Sequence, residues 1–188
     1  MKFLKLGLAS VIASTALFAG TYNVDASHSN VGFKVKHMMI SNVVGKFDTF
    51  NGSFEYDEKT KTLKSLVGDV TVASINTEDE KRDGHLKSAD FFDEANFPKL
   101  TFKLDKVEKD AAYGKLTIKG VTKDVKLDLE NNGTAIDPWG NTRVALALSG
   151  KINRTDFGLK WNKALETGGM LVDETVKLDV EIEGILAK

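Results

Sequence analysis

The sequence predicts an all-β fold, an antiparallel up-and-down β-barrel of about eight strands with one short helix inserted near residues 77–90. Apolar and polar residues alternate along most of the chain, the turns between these segments are short and polar, and one charged helical segment interrupts the series. Alternation gives each strand one buried and one wet face. Closing the sheet into a barrel buries the apolar face and pairs both edges. A two-sheet sandwich would use the same alternation and is the alternative.

The strands are recognised by their period of two. In the segment VGFKVKH, Val31, Phe33 and Val35 share one face, whereas Lys34 and Lys36 share the other. The pattern recurs in the segments LTFKLDKV, KLTIK, DVKLDLE, RVALALSG and TVKLDVEIEG. Three further strands are expected around 21–25, 46–56 and 66–73. Because each apolar face must be buried, its side chains are predicted to point into the barrel.

One helical segment, TEDEKRDGHLKSADFFDEANFP, occupies residues 77–98 between two strands. Thr77 and Glu80 have the spacing of a capping box, so the helix is expected to begin at Thr77 and to end near Ser88. A Phe-Phe pair follows and gives the helix an aromatic tail before the next strand begins.

A second irregular segment lies between residues 153 and 174. Connections longer than about 12–15 residues are uncommon in compact domains, which favours a functional loop. Arg154 and Asp156 at its start are expected to form an ion pair that holds the loop, and a ligand contact is the alternative. Trp161 is expected to pack either on the protein or on a ligand.

The first 19 residues have the features of a secretory signal peptide. Lys2 and Lys5 precede an apolar run that is short for a bilayer span and that ends in small residues. A membrane anchor is the alternative to a signal peptide. The small residues at the end of the run are compatible with cleavage after Ala16 or after Ala19. We expect a mature chain of one domain, residues 20–188, without a membrane span and located in the periplasm.

Composition and charge narrow the classes of partner. The chain is 28% charged and 41% apolar with a net charge of -1, and removal of residues 1–19 leaves 24 basic against 27 acidic residues. The two signs interleave without a basic stripe, so nucleic acid is not an expected partner. The absence of cysteine excludes a lipid-modified cysteine and every thiolate nucleophile or metal ligand.

No catalytic or metal-binding signature is present in the sequence. The three histidines include no pair at i, i+4 spacing, and His28 and His37, which flank one strand, are expected to make structural hydrogen bonds near one rim. Asp25, His28 and Ser29 are residue types of a triad, but neighbours along a strand point to opposite faces. There is no Gly-x-Ser-x-Gly elbow. The prediction is no enzyme, no metal site and no cofactor, with a hydrolase as the remotest alternative.

The interior of such a barrel is either filled by side chains or holds one small ligand. Gly52 and Gly68 fall on the inward faces of their strands, where glycine leaves space or marks a bulge. A filled core would suit a structural or stress-related interaction domain. An apolar cavity would instead bind the tail of a long-chain isoprenoid or acyl amphiphile, at ~0.8 kcal/mol for each buried CH₂.

Several spaced motifs resemble those of the YceI family. They are DASHS from Asp25 to Ser29, then His37, GKF and FNG, then RDGHLKSADFFD and FP, then LTIKGVTKDV and RTDFG. The resemblance extends from about Tyr22 to the C-terminus. In LTIKGVTKDV, Lys119 and Asp124 stand where the family often has histidine and proline, so a head-group role for that turn does not carry over.

The resemblance implies both a fold and a ligand. The YceI family comprises periplasmic polyisoprenoid-binding proteins with a lipocalin-like barrel. For this chain it implies a barrel that encloses an isoprenoid chain, such as a quinone or a polyprenyl phosphate, without enzymatic activity, and it makes a homodimer plausible. It also implies that the inserted helix closes one end of the barrel, with Phe91 and Phe92 turned toward the interior.

The candidate ligand-contacting residues combine inward apolar side chains with the polar cluster of the helix. Arg82 or His85 would face a phosphate or quinone oxygen, or the cluster with Asp83 would instead pin the helix to the barrel. The full candidate set is Phe33, Val35, Phe50, Phe54, Arg82, Asp83, His85, Phe91, Phe92, Phe102, Leu116, Leu146, Leu148, Phe157, Trp161, Leu178 and Val180.

Overall fold

The computed structural model describes residues 19–166 and 168–188. The predicted signal peptide lies, except for its last residue, outside these described residues. Within them the chain forms β1 (Gly20–Val24), β2 (Asn30–His37), β3 (Ser41–Phe47), β4 (Phe50–Asp57), β5 (Thr62–Thr71), β6 (Ile75–Asn76), α1 (Glu80–Lys87), β7 (Lys99–Glu108), β8 (Ala111–Ile118), β9 (Val121–Ile136), β10 (Thr142–Asn153) and β11 (Val172–Leu186).

These strands make eight passes around a closed barrel. Three passes are bent and therefore counted as two strands each. A 3-10 turn at Ala26–His28 separates β1 from β2, residues 48–49 separate β3 from β4, and a 3-10 turn at Val72–Ser74 separates β5 from β6. The predicted barrel of about eight strands is thereby confirmed.

Strand β11 closes the sheet. It pairs with β10 along one edge, and on its other edge it pairs first with β2 and then with β1, as in Leu178↔Phe33 and Leu186↔Tyr22. Each pass is antiparallel to its neighbour in the chain, which is the up-and-down order. Because the first and last passes pair with each other, the two-sheet sandwich does not apply.

The two ends of the barrel differ in their contents. We call the base the end at which β1 begins and β11 ends, with the turns at 58–61, 109–110 and 137–141, and the mouth the end that carries α1 and the β2–β3 turn. The base is filled, because Tyr22, Phe54, Tyr56 and Leu146 are at most 1% exposed and pack into one apolar cluster. The rings of Tyr22 and Phe54 stack with centroids 5.2 Å apart.

The helix α1 begins later than the sequence predicts. Asp79 is its N-cap and accepts hydrogen bonds from the main-chain N–H groups of Lys81 and Arg82. The proposed capping box of Thr77 and Glu80 is wrong, because the hydroxyl and the N–H of Thr77 both donate to the carboxylate of Asp83.

No helix among the described residues is long and apolar enough to cross a bilayer.

An ion-pair network ties three segments together near the base. Arg143 on β10 donates to Asp25 at 2.9 Å, to Asp137 at 2.8 Å and to Glu183 at 2.5 Å. These carboxylates belong to the β1–β2 break, to the β9–β10 turn and to β11. The network therefore joins the two passes at which the barrel closes.

Hydrogen bonds to the ionised forms lower the pKa values of two of these carboxyl groups. For Asp25 the main donor is the hydroxyl of Ser27, followed by Arg143. For Asp137 it is the side-chain amide of Asn141, again followed by Arg143. A carboxyl group whose pKa is lowered in the folded protein stabilises the fold above its unfolded-state pKa.

Acid should therefore weaken this network. The contribution of Asp25 and Asp137 is present above the unfolded-state pKa of about 3.9 and is lost progressively as the pH falls below it. We expect Arg143→Leu to lower the free energy of unfolding at neutral pH. Below about pH 4 the free energies of unfolding of the variant and the wild type should become more similar. Urea unfolding followed by circular dichroism over a pH series measures both. Lys106→Leu, which removes an exposed pair with Glu108, is the control, and an Arg143→Leu difference independent of pH would contradict the assignment.

Candidate functional site

The half of the barrel nearer the mouth, called the upper half below, is hollow. It contains an inner chamber of about 160 Å³ and a mouth chamber of about 400 Å³. The two adjoin, because Phe33, Phe47, Leu100, Ile118 and Leu178 line both. The filled-core alternative therefore applies to the base of the barrel and not to its upper half.

The inner chamber exists because glycine replaces larger side chains on the inward face. Gly52 on β4 is paired directly with Gly68 on β5, and Gly68 is paired with Phe102 on β7. A Cβ added to Gly68 would meet only one atom within 4 Å, at 3.4 Å. The register shift between β4 and β5 lies farther along, at Glu55 and Tyr56, so neither glycine marks the bulge. Gly68 leaves space, whereas Gly52 permits close packing, because a Cβ there would lie 2.9 Å from the carbonyl oxygen of Val67.

The inward lining of the inner chamber is apolar. Phe102, Leu116, Leu178 and Val180 are only partly buried, in contrast to the fully buried side chains of the base. The remaining inward positions are further Val, Leu, Ile, Phe and Gly residues, whereas the polar residues that border the chamber alternate outward along their strands. Such a surface binds hydrocarbon and excludes strongly hydrated groups.

The mouth chamber adds cationic side chains to this apolar lining. Lys81 and Arg82 reach it from α1, Lys36 from the end of β2, and Arg154 from the end of β10. Asp79 is the acidic residue that borders it. The excess of positive charge at the opening favours an anionic group there.

Aromatic rings surround the mouth chamber. The ring of His85 meets Trp161 edge-on with centroids 4.8 Å apart, and it meets Phe91 in the same manner at 5.1 Å. Phe47 links this region to the inner chamber, since its centroid lies 6.1 Å from that of Phe92 and 5.8 Å from that of Phe33. The phenylalanine and tryptophan rings of both groups belong to one apolar cluster, which extends from the mouth into the barrel.

The polar cluster of α1 is largely committed to the protein. Nε and Nη2 of Arg82 donate to the hydroxyl and the carbonyl of Thr77 at 2.7 and 2.6 Å. Asp83 accepts the two hydrogen bonds from Thr77 described above, and His85 bonds to Asp90 at 3.1 Å. Arg82 and His85 nevertheless border the mouth chamber, whereas Asp83 borders neither chamber.

Arg154 fixes the irregular segment at the mouth. Arg154 is 3% exposed, and its guanidinium donates to the main-chain carbonyls of Asp173, Leu159, Trp161 and Val172. Burial lowers the pKa of this guanidinium.

The predicted ion pair between Arg154 and Asp156 is therefore wrong. All hydrogen bonds found for Arg154 within the described part of the chain go to carbonyl oxygens, and Asp156 is exposed. The physical reason is that a buried guanidinium fork satisfies several loop carbonyls at once.

The predicted contact residues separate into three groups. Those that border the inner chamber are Phe33, Phe50, Phe102, Leu116, Leu148, Leu178 and Val180. The mouth chamber adds Val35, Arg82, His85, Phe91, Phe92 and Trp161. Phe54, Asp83, Leu146 and Phe157 border neither.

Some residues that border the chambers were missed by the sequence reasoning. Phe47 borders both chambers and was not predicted. Its alternation with Gly45 on the same strand would have indicated an inward position. Lys36 alternates with inward residues and is exposed, as predicted, although it also borders the mouth chamber, and Lys81 carried no signal in the sequence. Both reach the opening only because their elements end there.

A second polar cluster lies away from the chambers. Ligand atoms of Asp25, His28 and Glu183 lie within 4.8 Å of one another. The guanidinium of Arg143 already bonds to both carboxylates. His28 and Asp25 are hydrogen-bonded at 2.9 Å, but the hydroxyl of Ser29 bonds to the main chain of Glu183, so the three residues do not form a triad.

The histidines do not meet at one rim. His28 lies beside Glu183 near the base-side end of β11, whereas His37 pairs with Val172 at its mouth end. Their separation along β11 is about 30 Å or more at the rise of an extended strand. The expected meeting of His28 with His37 is therefore wrong.

Comparison with known proteins places the chain in a family. The model of the YceI-like domain matches residues 22–184. A UPF0312 protein of Staphylococcus aureus is 38% identical over 163 residues, which cover 86% of this chain and 95% of that protein. The crystal structure of a Campylobacter jejuni YCEI protein superimposes with a TM-score of 0.72 at 35% identity and covers 87% of this chain and 96% of its own.

Two more distant structures share the fold. Burkholderia cenocepacia BcnA gives a TM-score of 0.71 at 21% identity, covering 85% of this chain and 98% of its own. A domain from Saccharophagus degradans described as polyisoprenoid binding gives 0.65 at 16% identity, covering 90% and 99%. The family match spans nearly all of the described chain, and the resemblance seen in the sequence motifs is confirmed: this protein belongs to the YceI-like family.

Proposed function

We propose that this protein binds an isoprenoid-type amphiphile, a polyprenyl phosphate or an isoprenoid quinone, and carries or stores it in the periplasm. The observation that carries the proposal is the pair of adjoining chambers, apolar inside and cationic at the mouth. Export through residues 1–19 would place the carrier between two membranes. The polyisoprenoid-binding description of the Saccharophagus degradans domain supports the same ligand class.

The tail would occupy the inner chamber. Each buried CH₂ contributes ~0.8 kcal/mol, so a tail of roughly ten carbons offers about 8 kcal/mol before the cost of ordering it. Phe102, Leu178 and Val180 already stand partly exposed toward this space and would be covered by the tail. A branched isoprenoid chain would bring apolar surface to every side of the chamber.

The head group would remain at the mouth. Nη1 of Arg82 has Asp79 at 4.0 Å as its ion-pair partner, which leaves this nitrogen available to an incoming oxygen. Lys36 and Lys81 supply two further cations at the same opening. Charge-assisted hydrogen bonds to a phosphate are stronger than those to a neutral group, so the arrangement favours a phosphate over a quinone oxygen.

A binding role without catalysis agrees with the arrangement of functional groups. Ser29, His28 and Asp25 do not assemble into a nucleophilic site, and the chambers are lined mainly by apolar side chains. The homodimer that the family resemblance implies remains a prediction, which sedimentation of the purified protein would test.

Organic extraction tests the proposal directly. Protein purified from an exporting host is extracted with organic solvent, and the extract is examined by mass spectrometry. We expect a prenyl lipid in near-stoichiometric amount. An extract without lipid, together with failure to bind added polyprenyl phosphate or quinone, would overturn the proposed function.

A charge placed inside the barrel should abolish retention. Phe102 borders the inner chamber, whereas its neighbour Lys103 faces solvent. We expect Phe102→Asp to lose nearly all extractable lipid, because an unpaired carboxylate in an apolar chamber must remain hydrated. Lys103→Asp, the matched control, should retain lipid as the wild type does. Equal retention in the two variants would contradict the assigned interior.

Filling the inner chamber separates binding from folding. We expect Gly68→Leu to reduce retained lipid at least about tenfold, since the loss of only two CH₂ contacts costs ~1.6 kcal/mol. The melting temperature should stay the same or rise, because the new side chain occupies empty space. Gly84→Leu on the exposed face of α1 is the control. Full lipid retention by a folded Gly68→Leu variant would show that the inner chamber is not the binding site.

A further inference from the structure

The mouth end carries an exposed apolar surface outside the chambers. We define the apolar tip as Met38, Met39 and Ile40 in the β2–β3 turn, together with Met170. Their exposed fractions are 40%, 56%, 84% and 46%. Exposed apolar residues that occur singly are ordinary, but a contiguous group beside a ligand opening indicates an interaction surface.

The backbone of the apolar tip does not favour the side chains that it carries. The N–H of Ile40 donates to the carbonyl of His37, and Met38 and Met39 both have positive φ angles, 52° and 64°. These are the central positions of a type I′ turn, which strongly favours Asn and Gly. Two methionines therefore occupy unfavourable backbone positions while their side chains are exposed to water, and strain of this kind concentrates at functional sites.

The flanks of the apolar tip are positively charged. Lys34 and Lys36 lead into the tip on β2 without an intervening acidic residue, whereas Lys46, farther along β3, is paired with Asp48 at 2.9 Å. The acidic residues that follow Met170 in the neighbouring segment are Asp173 and Glu174. On the next strand, Lys177 lies directly opposite Lys34. Like charges opposite each other on a sheet are unfavourable in isolation, and an anionic partner would relieve their repulsion.

The apolar tip lies beside the opening of the barrel. The N–H of Met38 donates to the carbonyl of Leu171 at 2.8 Å, which joins the β2–β3 turn to the segment that contains Met170. Lys36, His37 and Leu171, which adjoin the tip in the chain, border the mouth chamber. A surface that receives the tip would therefore lie close to the mouth.

We propose that the apolar tip is a docking surface for a bilayer that contains anionic lipid. The side chains of Met38, Met39 and Ile40 enter the boundary between head groups and acyl chains, and Lys34 and Lys36 contact the anionic head groups beside it. Charge complementarity favours this partner over a second copy of the chain, which would set lysine against lysine. Docking in this orientation turns the mouth toward the membrane, and it does not require that the barrel already holds a lipid.

Vesicle sedimentation tests the proposal. The probes are vesicles of phosphatidylcholine and phosphatidylglycerol in roughly equal amounts, and vesicles of phosphatidylcholine alone. The tip variant combines Met38→Asn, Met39→Gly and Ile40→Ser, residues that suit a type I′ turn and should keep or raise the melting temperature. The matched control combines Ile136→Ser and Trp139→Ser, which remove side chains that are 75% and 81% exposed at the base.

The proposal predicts that the wild type and the control bind the anionic vesicles equally, whereas the tip variant binds at least about tenfold more weakly. Added salt should weaken the binding, and vesicles of phosphatidylcholine alone should bind less protein. Absence of binding to anionic vesicles, or an equal loss in the control, would overturn it. A tip variant that binds vesicles normally but sediments as a smaller species would instead assign the tip to self-association. Because lipid-free protein suffices, failure here is distinguishable from failure of lipid retention.

Discussion

Closure of the sheet through β11 is the constraint on which the rest of the structure depends. Strand β11 is hydrogen-bonded along both edges, to β10 on one side and to the bent β1–β2 pass on the other. Once eight passes close, the diameter of the barrel is set, and inward side-chain volume alone decides whether the interior is filled. A single inward face thus serves both as the protein core and as the wall of a cavity.

The molecule divides this interior between stability and binding. At the base, Tyr22, Phe54 and Tyr56 fill the barrel and supply a tightly packed core. Above them, Gly68 contributes no side-chain volume to the inward face and borders the inner chamber. Empty apolar space weakens a fold, so the packed base and the network around Arg143 offset a hollow upper half. Arg154 performs a related task at the mouth by holding irregular main chain in place.

The alternation of the sequence was sufficient to predict the fold, because a period of two fixes which face of each strand is buried. It does not determine how far along the barrel axis each inward side chain lies. Phe54 and Phe102 carry the same inward signal, yet one fills the base and the other borders the cavity. The errors at Thr77 and Arg154 share a cause, because several nearby partners compete for one hydrogen-bonding group. Thr77 bonds to Asp83 and not to Glu80, and Arg154 bonds to loop carbonyls and not to Asp156. Only the folded geometry selects between such partners. Lys36 and Lys81 were not predicted at the site, because only the folded structure brings both to the border of the mouth chamber.

The central claim, that a hollow barrel of this sequence binds an isoprenoid chain, is tested most directly by titration calorimetry with farnesyl phosphate on lipid-free protein at several temperatures. A single saturable site per chain is expected, with a negative heat-capacity change, because burial of apolar surface on binding has that signature. Heats that do not saturate, or saturable binding without a change in heat capacity, would contradict it.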